Sequence, residues 1–488
     1  LARRAQLEKS RPRLLLAAGG FALLFSAVAL KLAIATVIDP AQPRRSIAAS
    51  RPAAAPAEAP VARGTITDRN GEILAVSLPL NALYANPRQI DNPREVADRL
   101  VRVLPQLNRD RLIERLQGER QFAYIARALT PREMQQVNNL GVAGLYFETA
   151  ERRYYPQGRT GVHIVGGVDV DGNGIAGVER YFDERLRARP NLPLRLSLDV
   201  RVQLAMRDAV QRAITEFTGI GGAGILMDVH TNEVLAMVSL PDYDANDPMS
   251  AQNCDPARNR TTNICERFNR VTSGVYEPGS TFKLMTAAMA LENGLQPHQG
   301  YDASRPITIG RFTINDFRGR GRWLALPEIL QHSSNLASAH MAAAVGPTRH
   351  REFMGRMGML TRQSVELPEV ASPLAPSARN WREINTMTIG FGHGISVTPL
   401  HVVTGVSAIV NGGILRQPTL VAQQPGTQRD GVRVISERTS DIMRRMMRLV
   451  VTDGSGRSAE VPGYYLGGKT GTQTFGALVA FARAKVNG

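Results

Sequence analysis

Residues 14–38 are apolar almost without interruption, and no other feature narrows the fold of this chain as much. At about 1.5 Å per residue a helix of that length spans roughly 37 Å, enough to cross a hydrocarbon core of about 30 Å with some tilt. Lys31 alone breaks the run, near its far end, where its charge can snorkel to the interface. Arg3, Arg4, Lys9, Arg11 and Arg13 precede it against Glu8 alone, a bias that keeps the N-terminus in the cytoplasm and sends the rest outward. A cleaved signal peptide is the rival reading, because Ala33-Ile34-Ala35 has the A-x-A form. The run exceeds the usual apolar length of about 7–15 residues in such signals, so a retained anchor is expected.

The anchor implies a layout. Residues 1–13 form a cytoplasmic tail, and residues 39–60, with Pro40, Pro43, Pro52, Pro56 and Pro60, form an extended spacer. At 488 residues, 43% hydrophobic and 21% charged, the remainder has the length and composition for two globular domains. Residues 61–195 mix short strands with polar helices such as 93–104 and 131–139. From 196 to 488 the pattern changes: a capped helix over 200–217, a hairpin of strands 223–229 and 233–239, then long helical segments and a few strands. The net charge of +16 raises a nucleic-acid reading. No basic run interleaved with aromatics supports it, and the anchor places the chain elsewhere.

Several motifs fail in context. Gly172-Asn173-Gly174-Ile175-Ala176-Gly177 is a literal GxGxxG without a flanking βαβ unit, so no dinucleotide is expected. Asp169, Asp171 and Asn173 imitate a calcium loop, but Arg180 stands where the bidentate Glu belongs. The eight histidines show no metal-ligand spacing, and no metal or organic cofactor is expected. Cys254 and Cys265 fit neither a redox pair nor a zinc site; they pair as one disulfide or remain free thiols.

Three short segments carry chemistry instead. Ser280 and Lys283 stand three residues apart after Glu277-Pro278-Gly279, at the start of an apolar helical stretch that stops at Asn293-Gly294. A serine hydroxyl needs an adjacent base, and a lysine can be one if burial or another cation lowers its pKa. Alone, the pair reads equally as a helix cap followed by a solvated lysine. Ser333-Ser334-Asn335 adds a hydroxyl and an amide in a polar break, with a plain cap as its structural alternative. Lys469-Thr470-Gly471-Thr472 adds a cation and hydroxyls that suit a carboxylate, and a glycine that lets a backbone approach. Only five of the 59 basic residues are lysines, and two of the five occupy these segments.

The ordered set S-x-x-K, S-x-N and K-T-G resembles that of penicillin-binding proteins and class A β-lactamases. Around it, 63–75 (Arg-Gly-Thr-Ile-Thr-Asp-Arg-Asn-Gly-Glu-Ile-Leu-Ala), 153–158 (Arg-Tyr-Tyr-Pro-Gln-Gly) and 174–179 (Gly-Ile-Ala-Gly-Val-Glu) resemble the three pedestal motifs of class B penicillin-binding proteins. Residues 276–283 and 326–335 are most similar to the division-type, septal transpeptidase. The resemblance implies an α+β chain: a single transmembrane helix, an elongated β-rich pedestal over 61–195, and a transpeptidase domain over 196–488 with an antiparallel sheet flanked by helices. It implies a DD-transpeptidase that cross-links peptidoglycan stem peptides ending in D-Ala-D-Ala and is acylated by β-lactams. Ser280 would be nucleophile, Lys283 base, Ser333 proton relay and Asn335 substrate clamp. Lys469, Thr470 and Thr472 would receive the terminal carboxylate, and Gly471 would let the substrate backbone approach. Implied partners are a membrane glycan polymerase and other division proteins, at the inner membrane with the catalytic domain periplasmic.

One departure stands out. The family's sheet continues past K-T-G, whereas only 16 residues follow Thr472 and the chain opens on Leu1. The last strands are therefore expected to be missing, with 475–485 supplying one strand at most and the K-T-G strand left with an open edge. An elongation-type transpeptidase, a β-lactamase or β-lactam sensor, and a non-catalytic division scaffold remain the alternatives.

Overall fold

The computed structural model describes residues 22–23, 25–27, 63–251, 265–310, 312–424, 426–472 and 485–487. The proposed anchor (but for a few helical positions at Ala22, Leu23, Phe25, Ser26 and Ala27), the spacer and Cys254 lie outside them. Among the described residues no helix is long and apolar enough to cross a membrane. Cys265 is disulfide-bonded.

Everything below belongs to the compact unit Pro60–Gly488. Its first part is organised by one long strand. β1 (Ile66–Thr67) pairs antiparallel with the start of β2 (Ile73–Ala85). The rest of β2 lies between β3 (Ala123–Leu129) and β4 (Leu145–Tyr154), both antiparallel to it. Alternate residues of this sheet, among them Leu83, Ala85, Ile125 and Leu129, face a core closed by three amphipathic helices. These are α1 (Pro93–Val103), α2 (Arg109–Leu116) and α3 (Pro131–Asn138). Each starts where its sequence says it should. Asn92, Asn108 and Thr130 cap the free N–H groups, and Thr130 with Glu133 completes a capping box.

The three pedestal motifs meet in one buried ion cluster. Glu179, fully buried, accepts Arg63 Nε at 2.5 Å and Arg153 Nε at 2.7 Å, while Arg63 Nη1 also reaches Asp183 at 2.5 Å. Arg153 Nη2 donates to Gly64 O at 2.8 Å. The literal GxGxxG is explained here: a Cβ on Gly174 would lie 2.2 Å from Glu179 O, and one on Gly177 2.6 Å from Ile164 O, so a tight turn needs both glycines. The calcium-like loop is a turn closed on Asp169, whose Oδ1 accepts the N–H groups of Asp171 and Asn173.

Asp68 of the first motif accepts Val200 N at 3.1 Å, so it caps the helix α4 (Val200–Glu216) together with Asp199. Beside α4 runs the expected hairpin, strands Gly222–Met227 and Val234–Leu240, paired antiparallel. A shared core containing Ile66, Leu74, Leu196, Leu198, Met237 and Leu400 joins these elements. A third core surrounds α5 (Lys283–Glu292). Packed into it are α6 (Leu326–Gln331), α7 (Asn335–Val345), α8 (Pro399–Val410) and α9 (Glu437–Asp453).

One expectation needs correction. Among the described residues the strands after residue 196 form separate two-stranded pairs, not one sheet. The K-T-G strand, Thr470–Thr472, pairs antiparallel with Lys485–Asn487 and, among the described residues, has no strand on its other edge. It lies against the Gly279–Phe282 turn instead of the hairpin beside α4, because Gly471 allows that approach: a Cβ there would sit 2.9 Å from Thr281 Cγ2.

Candidate active site

Ser280 lies in a 3-10 turn, Gly279–Phe282, that runs directly into α5, so it precedes the α-helix by one turn. Bonds within 276–281 and to residues 392–397 hold that turn. Thr281 Oγ1 donates to Pro278 O at 2.7 Å, and Gly279 N donates to Gly392 O at 3.1 Å. Gly392 has φ +84°, and a Cβ on it would lie 2.0 Å from Gly279 O. Glu277 Oε1 accepts Gly394 N at 2.9 Å, and Tyr276 exchanges backbone bonds with Val397.

Lys283 is fully buried one helical step below Ser280. Its Nζ lies 2.6 Å from Ser333 O, 2.7 Å from Asn335 Oδ1, 2.9 Å from Ser280 Oγ and 3.0 Å from Ser333 Oγ. The carbonyl and the amide oxygen can only accept, so they take two N–H groups whether the amine is charged or neutral. The third position on nitrogen is left for the serine hydroxyls. Burial pushes the Lys283 pKa well below the usual lysine value, and the Lys469 charge lowers it further, against an opposing pull from Asp316. A neutral Lys283 has a lone pair there, able to accept the Ser280 proton.

Ser333 is where the three segments converge. It has φ +57°, an uncommon conformation for a non-glycine residue and one that stores strain. That geometry places its carbonyl and hydroxyl on Lys283, while Lys469 Nζ donates to the same hydroxyl at 2.9 Å. Lys469 is 2% exposed, and desolvation lowers its pKa to about 8. Lys469 Nζ also donates to Thr470 O at 2.9 Å, and Thr470 Oγ1 shares a 2.7 Å hydrogen bond with Ser455 Oγ. Thr472 is exposed at the end of the strand.

The structure thus brings together Ser280, Lys283, Ser333, Asn335 and Lys469 by direct hydrogen bonds, with Thr470 next to them and Gly471 packed on the Ser280 turn. Sequence reasoning missed three supports. Asp316 accepts Ser334 Oγ at 2.7 Å and the N–H groups of Asn335 and Leu336 at 2.5 and 3.0 Å, which fixes the second motif at the start of α7. His393 and Glu277 pair at 2.9 Å beside the Ser280 turn. Arg448 and Glu460 pair at 2.6 Å beside the third motif. None of these spacings has a period or a motif that would have exposed it.

This arrangement pairs a buried amine of lowered pKa with the Ser280 hydroxyl, and sets a second lysine on the Ser333 hydroxyl. It is the chemistry of a serine acyl-transfer enzyme. The penicillin binding protein transpeptidase domain family matches residues 222–478, and the penicillin-binding protein dimerisation domain family matches 58–193. The chain belongs to the penicillin-binding protein transpeptidase family, and within it to class B, division type. It is similar to the probable peptidoglycan D,D-transpeptidase FtsI of Caulobacter vibrioides, with 40% identity over 418 residues, 84% of this chain and 69% of that protein. It is also 31% identical over 441 residues to peptidoglycan D,D-transpeptidase FtsI of Escherichia coli K12, covering 84% of this chain and 73% of the relative. Stage V sporulation protein D of Bacillus subtilis is 28% identical over 455 residues, 84% of this chain and 68% of the relative.

Proposed function

We propose that Ser280 is the nucleophile through which this chain acts as a septal peptidoglycan DD-transpeptidase. One observation carries the assignment: a fully buried Lys283 amine within 2.9 Å of Ser280 Oγ. Lys283 takes the hydroxyl proton as Oγ attacks the penultimate D-Ala carbonyl of a stem peptide. The tetrahedral oxyanion is received by the backbone N–H groups of Ser280 and Thr472; the packing of Gly471 on Thr281 supports that pairing. The C–N bond then breaks, and the proton passes from Lys283 through Ser333 Oγ to the amine of the departing D-Ala. The amine of a second stem peptide attacks the acyl-enzyme and gives a proton to Lys283. Ser280 is released with its proton, and a cross-link remains.

Asn335 holds the substrate amide, while Lys469, Thr470 and Thr472 receive the terminal carboxylate, which a β-lactam carboxylate mimics. The apolar run at 14–38 and its cationic flank support a single-pass inner-membrane anchor with the catalytic part periplasmic. A membrane glycan polymerase and other division proteins are the partners that this placement and the division-type family support. The chemistry described uses this chain's own side chains and no cofactor.

Labelling with a fluorescent penicillin tests the assignment. Wild type is expected to acquire a covalent label, and Ser280→Ala to acquire none while retaining its melting temperature. Equal labelling of the two proteins would overturn it.

A further inference from the structure

The K-T-G strand reaches the site on a support that the three motifs do not contain. Arg448, in the last turns of α9, clasps two points of the segment that precedes the strand. Its Nη1 and Nη2 donate to the two carboxylate oxygens of Glu460 at 2.6 and 2.7 Å, a bidentate pair. The same Nη1 donates to Leu466 O at 2.9 Å, and the guanidinium carbon lies 5.8 Å from the centre of the Tyr465 ring. Both ends of the segment from Glu460 to Leu466 are therefore tied to one side chain.

The next two residues are seated on the backbone of α9. Gly468 N donates to Met447 O at 3.1 Å, and a Cβ on Gly467 would sit 3.2 Å from Arg448 N. Lys469 follows at once, buried, with its ammonium on Ser333 Oγ. The end of α9 also touches the second motif's side of the site, since Gln331 Nε2 donates to Asp453 O at 2.9 Å. A single helix end thus backs two of the three motifs.

We propose that Arg448 is a positioning residue for the transpeptidation reaction: by clasping Glu460 and Leu466 together it sets where the Lys469 ammonium stands against Ser333. The Arg448–Glu460 pair is partly exposed, and such pairs add little to folding stability, so an effect on the reaction is separable from an effect on the fold. The inference rests on the reading of Lys469 as carboxylate anchor. Arg448 touches no reacting atom and acts only through the strand it holds.

Acylation by a fluorescent penicillin, followed as a rate constant and an amplitude across pH in the full chain, is the test. Arg448→Gln is expected to lower the rate constant by about tenfold or more, as a misplaced binding group does. The amplitude and melting temperature stay close to wild type. A loosened Lys469 is less buried, so the loss of rate on the alkaline side moves above its wild-type position near pH 8. Glu460→Gln changes both quantities in the same direction. The double variant is no slower than the slower single one, because the two residues act as a unit. Arg448→Lys, which keeps charge but cannot clasp two points, recovers the rate in part.

An unchanged rate constant with a reduced amplitude or melting temperature would assign Arg448 a purely structural role and overturn the proposal. So would an unmoved alkaline limb. Lys469→Ala separates the two layers: if it is acylated at the wild-type rate, the anchor reading fails and this inference with it. If Lys469→Ala is slow while Arg448→Gln matches wild type, the inference alone fails.

Discussion

Two lysines share one serine hydroxyl in this site, and the proposed mechanism requires them in opposite states. Lys283 and Lys469 reach Ser333 Oγ at 3.0 and 2.9 Å. Their nitrogens therefore lie within about 6 Å of each other, where two unit charges repel by about 3 kcal/mol at an effective dielectric of about 20. Burial already disfavours charge on both, and the deeper lysine, Lys283, gives way. As general base Lys283 must be neutral, so the acylation rate rises with pH as Lys283 loses its proton. As carboxylate anchor Lys469 must be charged, so the rate falls again as pH passes about 8.

Substitution of Lys469 separates the limbs. Lys469→Arg keeps its charge far above that pH, so the alkaline limb near pH 8 is expected to disappear while the acid limb stays. Lys469→Ala removes the repelling charge, so Lys283 holds its proton more tightly and the acid limb moves to higher pH. From the Coulomb figure, the rate at a fixed pH on that limb falls by a factor on the order of 100, in addition to the lost anchor. The assay is the second-order rate constant for acylation by a fluorescent penicillin between about pH 5 and pH 10. Persistence of the alkaline limb in Lys469→Arg, or an acid limb that moves to lower pH in Lys469→Ala, would refute the assignment of opposite charge states.

Two further outcomes follow from buried charge. Glu179→Gln leaves Arg63 and Arg153 without their shared carboxylate in a buried cluster, so denaturant unfolding is expected to show a loss of about 3–5 kcal/mol; a loss under about 1 kcal/mol would mean the cluster relaxes. Asp316→Asn removes the charge that gathers Ser334, Asn335 and Leu336, and penicillin acylation is expected to slow by about tenfold with Ser280 labelling still complete at long times.

The structure separates what the chain encodes locally from what it encodes only through packing. Helix starts were legible because a cap is a local event. Asp199, read as a cap before Val200, satisfies an N–H group two residues away, and the helix begins there. The hairpin over Gly222–Leu240 was legible for the same reason, as two apolar strands around a polar turn. Ser280 and Lys283 were recognisable because three residues on one turn set their distance, though the turn proved to be 3-10 where an α-helix was expected. The placement of Thr470–Thr472 was not legible, since Gly471 packs against a turn far away in the chain.

The sequence by itself singled out the side chains proposed to carry the chemistry and their order, because residue type and short spacing are properties of the chain alone. Tertiary structure decided that Ser333 is the point where both lysines meet, that Asp316 and Arg448 support the second and third motifs, and that the Lys283 pKa falls well below the usual lysine value. The physical reason is desolvation. The pKa of an amine depends on every atom that displaces water from it, and those atoms come from segments that no local pattern relates.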